Sequence, residues 1–283
     1  MLPEATFTDR TAIVTGGGTG LGLAIATELG RLGADVIVAS RRREHIDHGV
    51  EAVTAVGASA IGVEVDIRDP DAVEVALDRG EERWGRPAQL VVNNAAGNFR
   101  MPALEMSPRA FKTVVDIVLN GTFHVSRAAA VRLVTADRPG SIVNIGASSA
   151  WTGGPGTCHS AAAKAGVLAL TKSLAVEWAR RGIRVNAVCP GLIPNPTVLQ
   201  ALFPTENVAA ARRRAEETVP IGRAGDAREL AWAVAYLLSD YAGFVTGEVL
   251  TIDGGGWLRR GPKQERFETI EEQIAYFSRT EAL

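Results

Sequence analysis

The chain has 283 residues, 46% of them hydrophobic and 22% charged, so it is long enough to bury a sizeable core. Its 30 basic and 32 acidic residues give a formal net charge of −2, which excludes the strong basic field typical of proteins that bind nucleic acids or membrane surfaces. The two cysteines have no metal-ligand spacing, and the chain shows neither a secretory-signal pattern nor an apolar run that could span a membrane. We therefore expect a cytoplasmic protein with reduced thiols, no metal, and no nucleic-acid or membrane partner.

Strand-like and helix-like segments alternate along most of the chain. Strands are predicted at Thr11–Thr15, Asp35–Ala39, Ala60–Val65, Leu90–Asn93, Ser141–Ile145, Arg184–Val188 and Glu248–Ile252. Helices are predicted at Leu21–Leu32, Glu44–Val56, Asp71–Trp84, Arg109–Val134, Cys158–Arg180 and Ala227–Ser239. Such alternation needs right-handed crossovers and a parallel sheet. The predicted fold is therefore α/β: a single-domain, doubly wound Rossmann fold with seven strands in the order 3-2-1-4-5-6-7 and helices on both faces.

One domain is expected, because no linker-like break or internal repeat interrupts this alternation. The domain covers residues 1–256 and includes an irregular segment at about 190–220, which we interpret as a lid over the site. Four prolines disfavour regular structure in this segment: Pro190, Pro194, Pro196 and Pro204. Residues 257–283 form a charged C-terminal tail with a short helical pattern at Thr269–Phe277.

A glycine-rich turn, Thr15–Gly22, lies between the first strand and the first helix. Gly16 would allow the tight turn, Gly20 would let the backbone approach a pyrophosphate, and Gly22 would let the helix pack closely. The helix N-terminus offers amide donors and a partial positive charge to phosphate groups. A turn in this position predicts a dinucleotide site rather than an ordinary loop.

The end of the second strand distinguishes NADP from NAD. An enzyme that uses NAD usually places an acidic residue there, which accepts hydrogen bonds from the ribose hydroxyls. Here the strand is followed by Ser40, Arg41 and Arg42, and the first acid is Glu44. A serine and arginines can donate to a 2′-phosphate that a carboxylate would repel. The sequence therefore predicts NADPH, the alternative being a solvated basic start of a helix.

Further motifs follow in order: Asp66, the segment Asn93–Gly97, Asn120, Lys164, Pro190-Gly191 and Asp253-Gly254-Gly255. Together with the glycine turn they resemble the short-chain dehydrogenase/reductase family over nearly the whole chain. The resemblance implies NADPH contacts, with Asp66 meeting the adenine and Lys164 the nicotinamide ribose. The residues that it assigns to the cofactor are Gly16, Gly18, Thr19, Gly20, Leu21, Gly22, Ser40, Arg41, Arg42, Asp66, Ile67, Asn93, Ala95, Lys164, Pro190, Gly191 and Ile193.

The resemblance also implies a homotetramer that assembles through the two long helices and the last strand. Two runs of small residues, Ala128–Ala130 and Ala161–Ala163, would permit close contact between helices of different subunits.

The family's catalytic tyrosine is missing from this chain. The family carries Tyr-x-x-x-Lys, and a spacing of four places both side chains on one face of a helix. Four residues before Lys164 stands Ser160, and the tyrosines of the chain are Tyr236, Tyr241 and Tyr276, all far downstream. Serine is a much weaker acid than a phenol, so a simple exchange would lose about 10²–10⁴-fold of general-acid assistance. The usual ketone–alcohol mechanism is therefore not expected.

One branch of the family lacks this tyrosine. The segments Asn93–Phe99 and Asp116–Thr122 resemble the 2,4-dienoyl-CoA reductases, and His159-Ser160 with Lys164 also resembles the trans-2-enoyl-CoA reductases. In this branch NADPH reduces a carbon–carbon double bond that is conjugated to an acyl-CoA thioester, as in fatty-acid β-oxidation. The catalytic residues implied by the resemblance are Lys164, Asn98, Asn120, Ser160 and Ser149, with Asn98 as the donor to the thioester oxygen. The implied substrate contacts are Arg68, Phe99, Ser107, Ser148 and His159.

The sequence offers several candidates for the source of the proton that is delivered to carbon. Ser149, Ser160, a water held by Lys164 and, less favoured, His159 are the candidates. Ser160 could instead be a small residue that makes room for the acyl chain, and His159 could simply line the pocket or a subunit surface.

The sequence also admits two other functions. The first is a ketone or ketoacyl reductase with a displaced acid, and the second is a catalytically inactive sensor that binds NADPH. Conversely, Arg68, which the resemblance assigns to the CoA phosphates, could form an ordinary surface ion pair with Asp69 or Asp71.

Overall fold

The computed structural model describes residues 2–196, 199, 202 and 207–258. Its strands form one parallel sheet in the order 3-2-1-4-5-6-7, which confirms the predicted doubly wound fold. The strands are β1 Thr11–Thr15, β2 Asp35–Ser40, β3 Ala60–Glu64, β4 Ala88–Asn93, β5 Gly140–Ile145, β6 Ile183–Pro190 and β7 Val249–Ile252. The α-helices in the described part are α1 Gly20–Arg31, α2 Arg43–Ala55, α3 Pro70–Trp84, α4 Pro108–Val115, α5 Gly121–Thr135, α6 Ser149–Thr152, α7 Cys158–Trp178, α8 Val208–Thr218 and α9 Ala227–Leu238.

The core lies on both faces of the sheet, because successive side chains of a strand point to opposite faces. In β2, Val36 and Val38 join a cluster with α1 and α9, whereas Ile37 and Ala39 join a second cluster with α3 and α5. The central strands β1 and β4 are buried along their whole length, as expected for parallel strands covered by helices on both faces. This packing fixes the ends of the strands, where the site is built.

The helix predicted at Arg109–Val134 is interrupted in its middle. A π-helical turn, Asp116–Asn120, separates α4 from α5. A π turn inserts one extra residue and so shifts the direction of the side chains that follow it. Ile117 and Val118 are buried in consequence, while Asn120 is exposed to solvent.

The segment predicted as an irregular lid contains a helix. Asn207 begins α8 by accepting a hydrogen bond from the Ala210 amide at 2.9 Å. The helix buries only Ala211 and Ala215, so it has no strong apolar stripe that a sequence pattern could have revealed. The predicted lid proline Pro204 and nearly all of the predicted C-terminal tail, including Thr269–Phe277, lie outside the described residues.

No helix within the described ranges is long and apolar enough to cross a membrane.

Candidate active site

A cleft of about 410 Å³ opens at the C-terminal edge of the sheet. It lies where β1 and β4 are neighbours and the chain turns to opposite faces, which is where α/β sheets of this topology bind ligands. The predicted site residues that line it are Gly16, Thr19, Gly20, Leu21, Ser40, Arg41, Arg42, Asp66, Ile67, Ala95, Lys164 and Pro190. A larger cavity of about 750 Å³ lies at the opposite edge of the sheet and contains none of the predicted site residues, so the smaller cleft is the candidate site.

The glycine turn forms the floor of the cleft at the start of α1. Gly16 has a φ of +65°, a left-handed conformation that favours glycine. A Cβ at Gly22 would lie 2.1 Å from the Gly16 carbonyl oxygen, so no larger residue fits between the turn and the helix. Thr19 precedes α1, and its side chain makes no capping hydrogen bond. The first amides of α1 are thus available to phosphate oxygens.

Thr15 and Asn94 hold the turn against the end of β4. The Thr15 hydroxyl donates to the Val92 carbonyl at 3.2 Å and accepts from the amides of Asn94 and Ala95, each at 3.0 Å. The Asn94 side-chain amide donates to the Thr15 carbonyl at 2.9 Å. Asn94 also lines the cleft, although its place in the Asn93–Gly97 motif predicted no role for its side chain.

The far end of the cleft is basic, with one carboxylate held in an ion pair. Arg68 donates from Nε to both oxygens of Asp66 at 3.0 Å. This hydrogen bond, with a smaller contribution from the charge of Arg41, lowers the pKa of Asp66. The partner of Arg68 is therefore Asp66 and not Asp69 or Asp71, because Asp69 caps α3 by accepting from the Asp71 amide at 3.0 Å.

Lys164 lies at the centre of the cleft wall, and only 8% of its surface is exposed. Its ammonium group donates to the Ile145 carbonyl at the end of β5. Burial lowers the pKa of Lys164 to about 8, and raises the pKa of the neighbouring Cys189 thiol to about 11. A buried ammonium beside a polar cleft costs free energy unless a ligand or a backbone group compensates it. A buried lysine in a cleft with a lowered pKa is typical of a functional site.

The predicted substrate side is formed by the loop after β4 and the start of α7. The Phe99 amide donates to Oδ1 of Asn98 at 2.9 Å, so Nδ2 of Asn98 keeps its donor capacity, and no partner for it exists within the described ranges. Phe99 packs against His159 with ring centroids 4.3 Å apart. His159 is fully buried, and neither ring nitrogen makes a well-formed hydrogen bond in the described part. Burial lowers the pKa of His159, with the Thr157 backbone acting in the opposite direction.

Ser160 is one helical turn before Lys164, as predicted, and is 7% exposed. Ser148 and Ser149 are half-buried at the end of β5, where the Ser148 carbonyl accepts the Trp151 amide at 3.0 Å. No described tyrosine lines the cleft. Tyr236 and Tyr241 lie on the surface, 39% and 65% exposed.

Several predicted residues lie outside the cleft. The Asn120 side chain is exposed and donates to Asp116 at 2.9 Å, because the π turn directs it to solvent. Ser107 is exposed and caps α4 by accepting from the Ala110 amide at 3.2 Å. Gly18 packs against the His45 carbonyl, and Gly22 packs beneath the turn as predicted for its helix contact.

Two other predicted residues are also set back from the cleft: Gly191 lies against Asp253, and the Ile193 side chain is buried in the core. Conversely, His45, Ile117, Gly146 and Asn195 line the cleft and were not predicted. Asn195 faces Gly20 across the cleft, with its Oδ1 3.5 Å from where a Cβ of that glycine would stand. The only signal for Asn195 in the sequence is that it is polar and closely follows the Pro190-Gly191 motif.

A buried chain of polar side chains supports the cleft from beneath. Nδ2 of Asn93 donates to Oδ1 of Asn144 and to the Ser126 hydroxyl, each at 2.8 Å, and Nδ2 of Asn144 donates to the Thr171 hydroxyl at 2.9 Å. These hydrogen bonds link β4 and β5 to α5 and α7. The side-chain amide of Asn93 is thus held in the interior.

The variant Asn144→Ala is expected to lower the free energy of unfolding by about 2–4 kcal/mol, because it leaves buried donors and acceptors of Asn93 and Thr171 without partners. Urea denaturation measures this loss. The control is Asn207→Ala, which removes an exposed helix cap and should cost about 1 kcal/mol. Equal losses in both variants would contradict the role of the buried chain.

The residues of the cleft fit a dinucleotide. Gly16 and Gly20 line the turn without side chains, the first amides of α1 lack a side-chain cap, and Arg41 and Arg42 stand at the far end. These features suit a pyrophosphate near the turn and an anionic ribose near the arginines.

Comparisons with known proteins agree with this geometry. Residues 16–256 match a family described as enoyl-(acyl carrier protein) reductase. A protein of Bacillus subtilis named "probable 2,4-dienoyl-CoA reductase" is 40% identical over 254 residues, which cover 89% of this chain and 98% of that protein. The peroxisomal 2,4-dienoyl-CoA reductase of Danio rerio is 39% identical over 259 residues, covering 91% of this chain and 85% of the relative.

Solved structures share the fold of this chain. A short-chain dehydrogenase of Bacillus anthracis has a TM-score of 0.79 and 38% identity, covering 90% of this chain and 99% of its own. A structure from Agrobacterium tumefaciens that contains bound NADP has a TM-score of 0.80 and 35% identity, covering 91% of this chain and 100% of its own.

Proposed function

Since the chain belongs to the short-chain dehydrogenase/reductase family and is an oxidoreductase, we propose that it uses NADPH to reduce a carbon–carbon double bond conjugated to an acyl-CoA thioester. The observation that carries the proposal is Ser160, which stands one helical turn before Lys164 where the family carries a tyrosine, while no described tyrosine lines the cleft. The names of the relatives favour a 2,4-dienoyl-CoA as the substrate.

The choice of NADPH is supported by the far end of the cleft. Ser40, Arg41 and Arg42 line it at the end of β2, where no carboxylate stands to bind the ribose hydroxyls of NAD. Asp66 is the one acid among the described residues that line the cleft, and its charge is compensated by Arg68. Guanidinium groups match a 2′-phosphate in charge and geometry.

This reaction does not need a strong acid at the thioester oxygen. When bound, NADPH supplies a hydride, and negative charge then develops on the thioester oxygen of the substrate. In this proposal Nδ2 of Asn98 donates a hydrogen bond to that oxygen, as an oxyanion donor does. Lys164 holds the nicotinamide ribose and keeps a positive charge in a buried position. The proton for carbon comes from Ser149, Ser160, a water beside Lys164 or, less favoured, His159.

The variant Asn98→Ala is expected to lower kcat about 10²–10³-fold, with a smaller change in KM for the acyl-CoA, because the lost hydrogen bond matters most in the transition state. Stopped-flow and steady-state kinetics measure both constants. The matched control is Asn207→Ala on the surface of α8. A loss confined to KM would show that Asn98 binds the substrate without stabilising the transition state.

Two other reactions remain as alternatives, reduction of a trans-2-enoyl-CoA and reduction of a ketoacyl substrate, beside a third possibility of an inactive NADPH sensor. Consumption of NADPH with 2,4-hexadienoyl-CoA, trans-2-hexenoyl-CoA and acetoacetyl-CoA separates them. The proposal expects turnover of the diene. Turnover of the mono-ene alone indicates the enoyl reductase, turnover of the ketone alone contradicts the proposal, and binding of NADPH without any turnover indicates the sensor.

We also propose a cytoplasmic homotetramer. The small-residue run Ala128–Ala130 is buried within the subunit and so does not form the expected contact. Exposed apolar side chains on the same two helices support the assembly instead: Phe123, Val131 and Val134 on α5, and Val176 on α7. Sedimentation equilibrium measures the mass, and a monomer at all concentrations would contradict the assembly.

A further inference from the structure

Two tryptophan rings stack on one another at the rim of the site. The ring centroids of Trp151 and Trp257 are 5.2 Å apart, and the ring planes are inclined by 29°. Each residue is nevertheless 41% exposed. An aromatic pair that is packed on one side and open on the other presents a broad apolar surface to whatever lies beside it.

The stack bridges two strand ends on the same edge of the sheet as the cleft. Trp151 belongs to α6, which follows β5, and Trp257 follows β7. Because β6 lies between β5 and β7, the rings meet across the end of β6, near Gly191. They lie on the half of the edge that carries Asn98 and Ser149, away from the glycine turn and the arginines at the β1–β3 half.

Hydrogen bonds donated by their main-chain amides anchor both tryptophans to neighbouring loops. The Trp151 amide donates to the Ser148 carbonyl at 3.0 Å, and the Trp257 amide donates to Oδ2 of Asp253 at 2.7 Å. Asp253 in turn packs on Gly191, where a Cβ would lie 2.4 Å from the Asp253 Cβ. The backbone that carries each ring is therefore anchored to the loops that border the predicted substrate side.

The rim around the stack is also apolar. Ile221 is 60% exposed, and its Cγ2 lies 2.6 Å from where a Cβ of Gly254 would stand, so it borders the turn that leads to Trp257. Leu258, next to Trp257, is 63% exposed. Exposed apolar groups that cluster beside a binding cleft are typical of a surface that a ligand covers.

We propose that the Trp151–Trp257 stack forms the outer wall of the acyl-chain channel and sets the length of chain that the enzyme prefers. The inference rests on the proposed function, which supplies the acyl chain. A linear hydrocarbon that leaves the reacting carbons on the Asn98 side would run along the flat indole faces. Chains too short to reach the stack gain nothing from it, whereas longer chains bury their methylene groups against it.

The test compares kcat/KM for 2,4-dienoyl-CoA substrates with 6, 8, 10 and 12 carbons in the wild type and in Trp151→Ala and Trp257→Ala. Each variant is expected to lose about tenfold in kcat/KM for the longest chain and less than twofold for the shortest, which flattens the chain-length profile. Trp151→Phe keeps a flat aromatic ring and should retain most of the preference. The matched control is Trp232→Ala, because Trp232 is 42% exposed on α9, which does not line the cleft.

Circular dichroism tests the geometry without any substrate. Two closely stacked indoles give a paired positive and negative band in the far ultraviolet, and this signal should disappear in Trp151→Ala and in Trp257→Ala but persist in Trp232→Ala. Its persistence in either stack variant would overturn the assignment of the stack.

The outcomes separate this inference from the proposed function. A wild type that reduces no dienoyl-CoA of any length contradicts the proposed function and this inference with it. A wild type that reduces them, with variants whose chain-length profile is unchanged, overturns this inference alone. Variants that change in sedimentation mass while their profile is unchanged overturn it as well, and show that the stack covers a second copy of the chain.

Discussion

Replacing Lys164 by methionine is expected to lower kcat/KM for the acyl-CoA by about 10³-fold or more. Lys164 is buried in the wall of the cleft and donates to the Ile145 carbonyl. Methionine has a similar length but no charge and no donor, so it can neither hold the ribose nor keep a water in position for proton transfer. The control is Lys172→Met, which lies two turns further along α7 on an exposed face and should change kcat/KM less than twofold.

The same residue sets an expected dependence on pH. Burial lowers the pKa of Lys164 to about 8, so its charge is lost as the pH rises through that value, and kcat/KM should fall on the alkaline side. The contribution to stability has the opposite sign. Between pH 8 and the ordinary lysine pKa of about 10.4, the unfolded chain binds more protons than the folded one, so stability should rise with pH in this window. Turnover that stays constant from pH 7 to 10, or an active and folded Lys164→Met variant, would contradict the role of the charge.

Replacing Arg41 by aspartate is expected to reverse the preference between the two nicotinamide cofactors. Arg41 lines the far end of the cleft beside Ser40 and Arg42. The variant removes a charge-assisted hydrogen bond to the 2′-phosphate, worth about 1.5–3 kcal/mol, and adds a repelling carboxylate. We expect kcat/KM for NADPH to fall about 10²-fold, while kcat/KM for NADH rises, because an acid at this position accepts from the ribose hydroxyls.

A matched variant separates local contact from overall charge. Arg43→Asp makes the same change of charge two residues away, at an exposed residue that pairs with Asp47 at 2.9 Å. This variant should change kcat/KM for NADPH by less than about threefold at 0.15 M salt, where charges beyond about 8 Å are screened. If both variants lower kcat/KM for NADPH equally, the effect is long-range and Arg41 makes no specific contact.

The sheet could be predicted because its signal is local and repeated. Continuous apolar runs such as Asp35–Ala39 indicate strands buried on both faces, and the structure places Val36 and Ile37 in clusters on opposite faces. The glycine turn was predictable for the same reason, since close approach at Gly22 permits no side chain. Both features depend on residues that are neighbours in sequence.

Features that depend on packing between distant segments could not be predicted. The π turn at Asp116–Asn120 changes which side chains face the cleft, but an inserted residue leaves the apolar pattern almost unchanged. The partner of Arg68 depended on the shape of the loop, in which Asp69 was already used as a helix cap. The Trp151–Trp257 stack joins residues more than a hundred positions apart, and no periodicity brings them together.

The destination of the hydride tests the central claim most directly. NADPH that carries deuterium on its transferable position is incubated with the enzyme and 2,4-hexadienoyl-CoA, and the product is analysed by mass spectrometry and NMR. The account predicts a hexenoyl-CoA with one deuterium on a chain carbon, one hydrogen from solvent on another, and an intact thioester carbonyl. Recovery of unlabelled diene, together with deuterium on the hydroxyl-bearing carbon of 3-hydroxybutyryl-CoA when acetoacetyl-CoA is supplied, would contradict it.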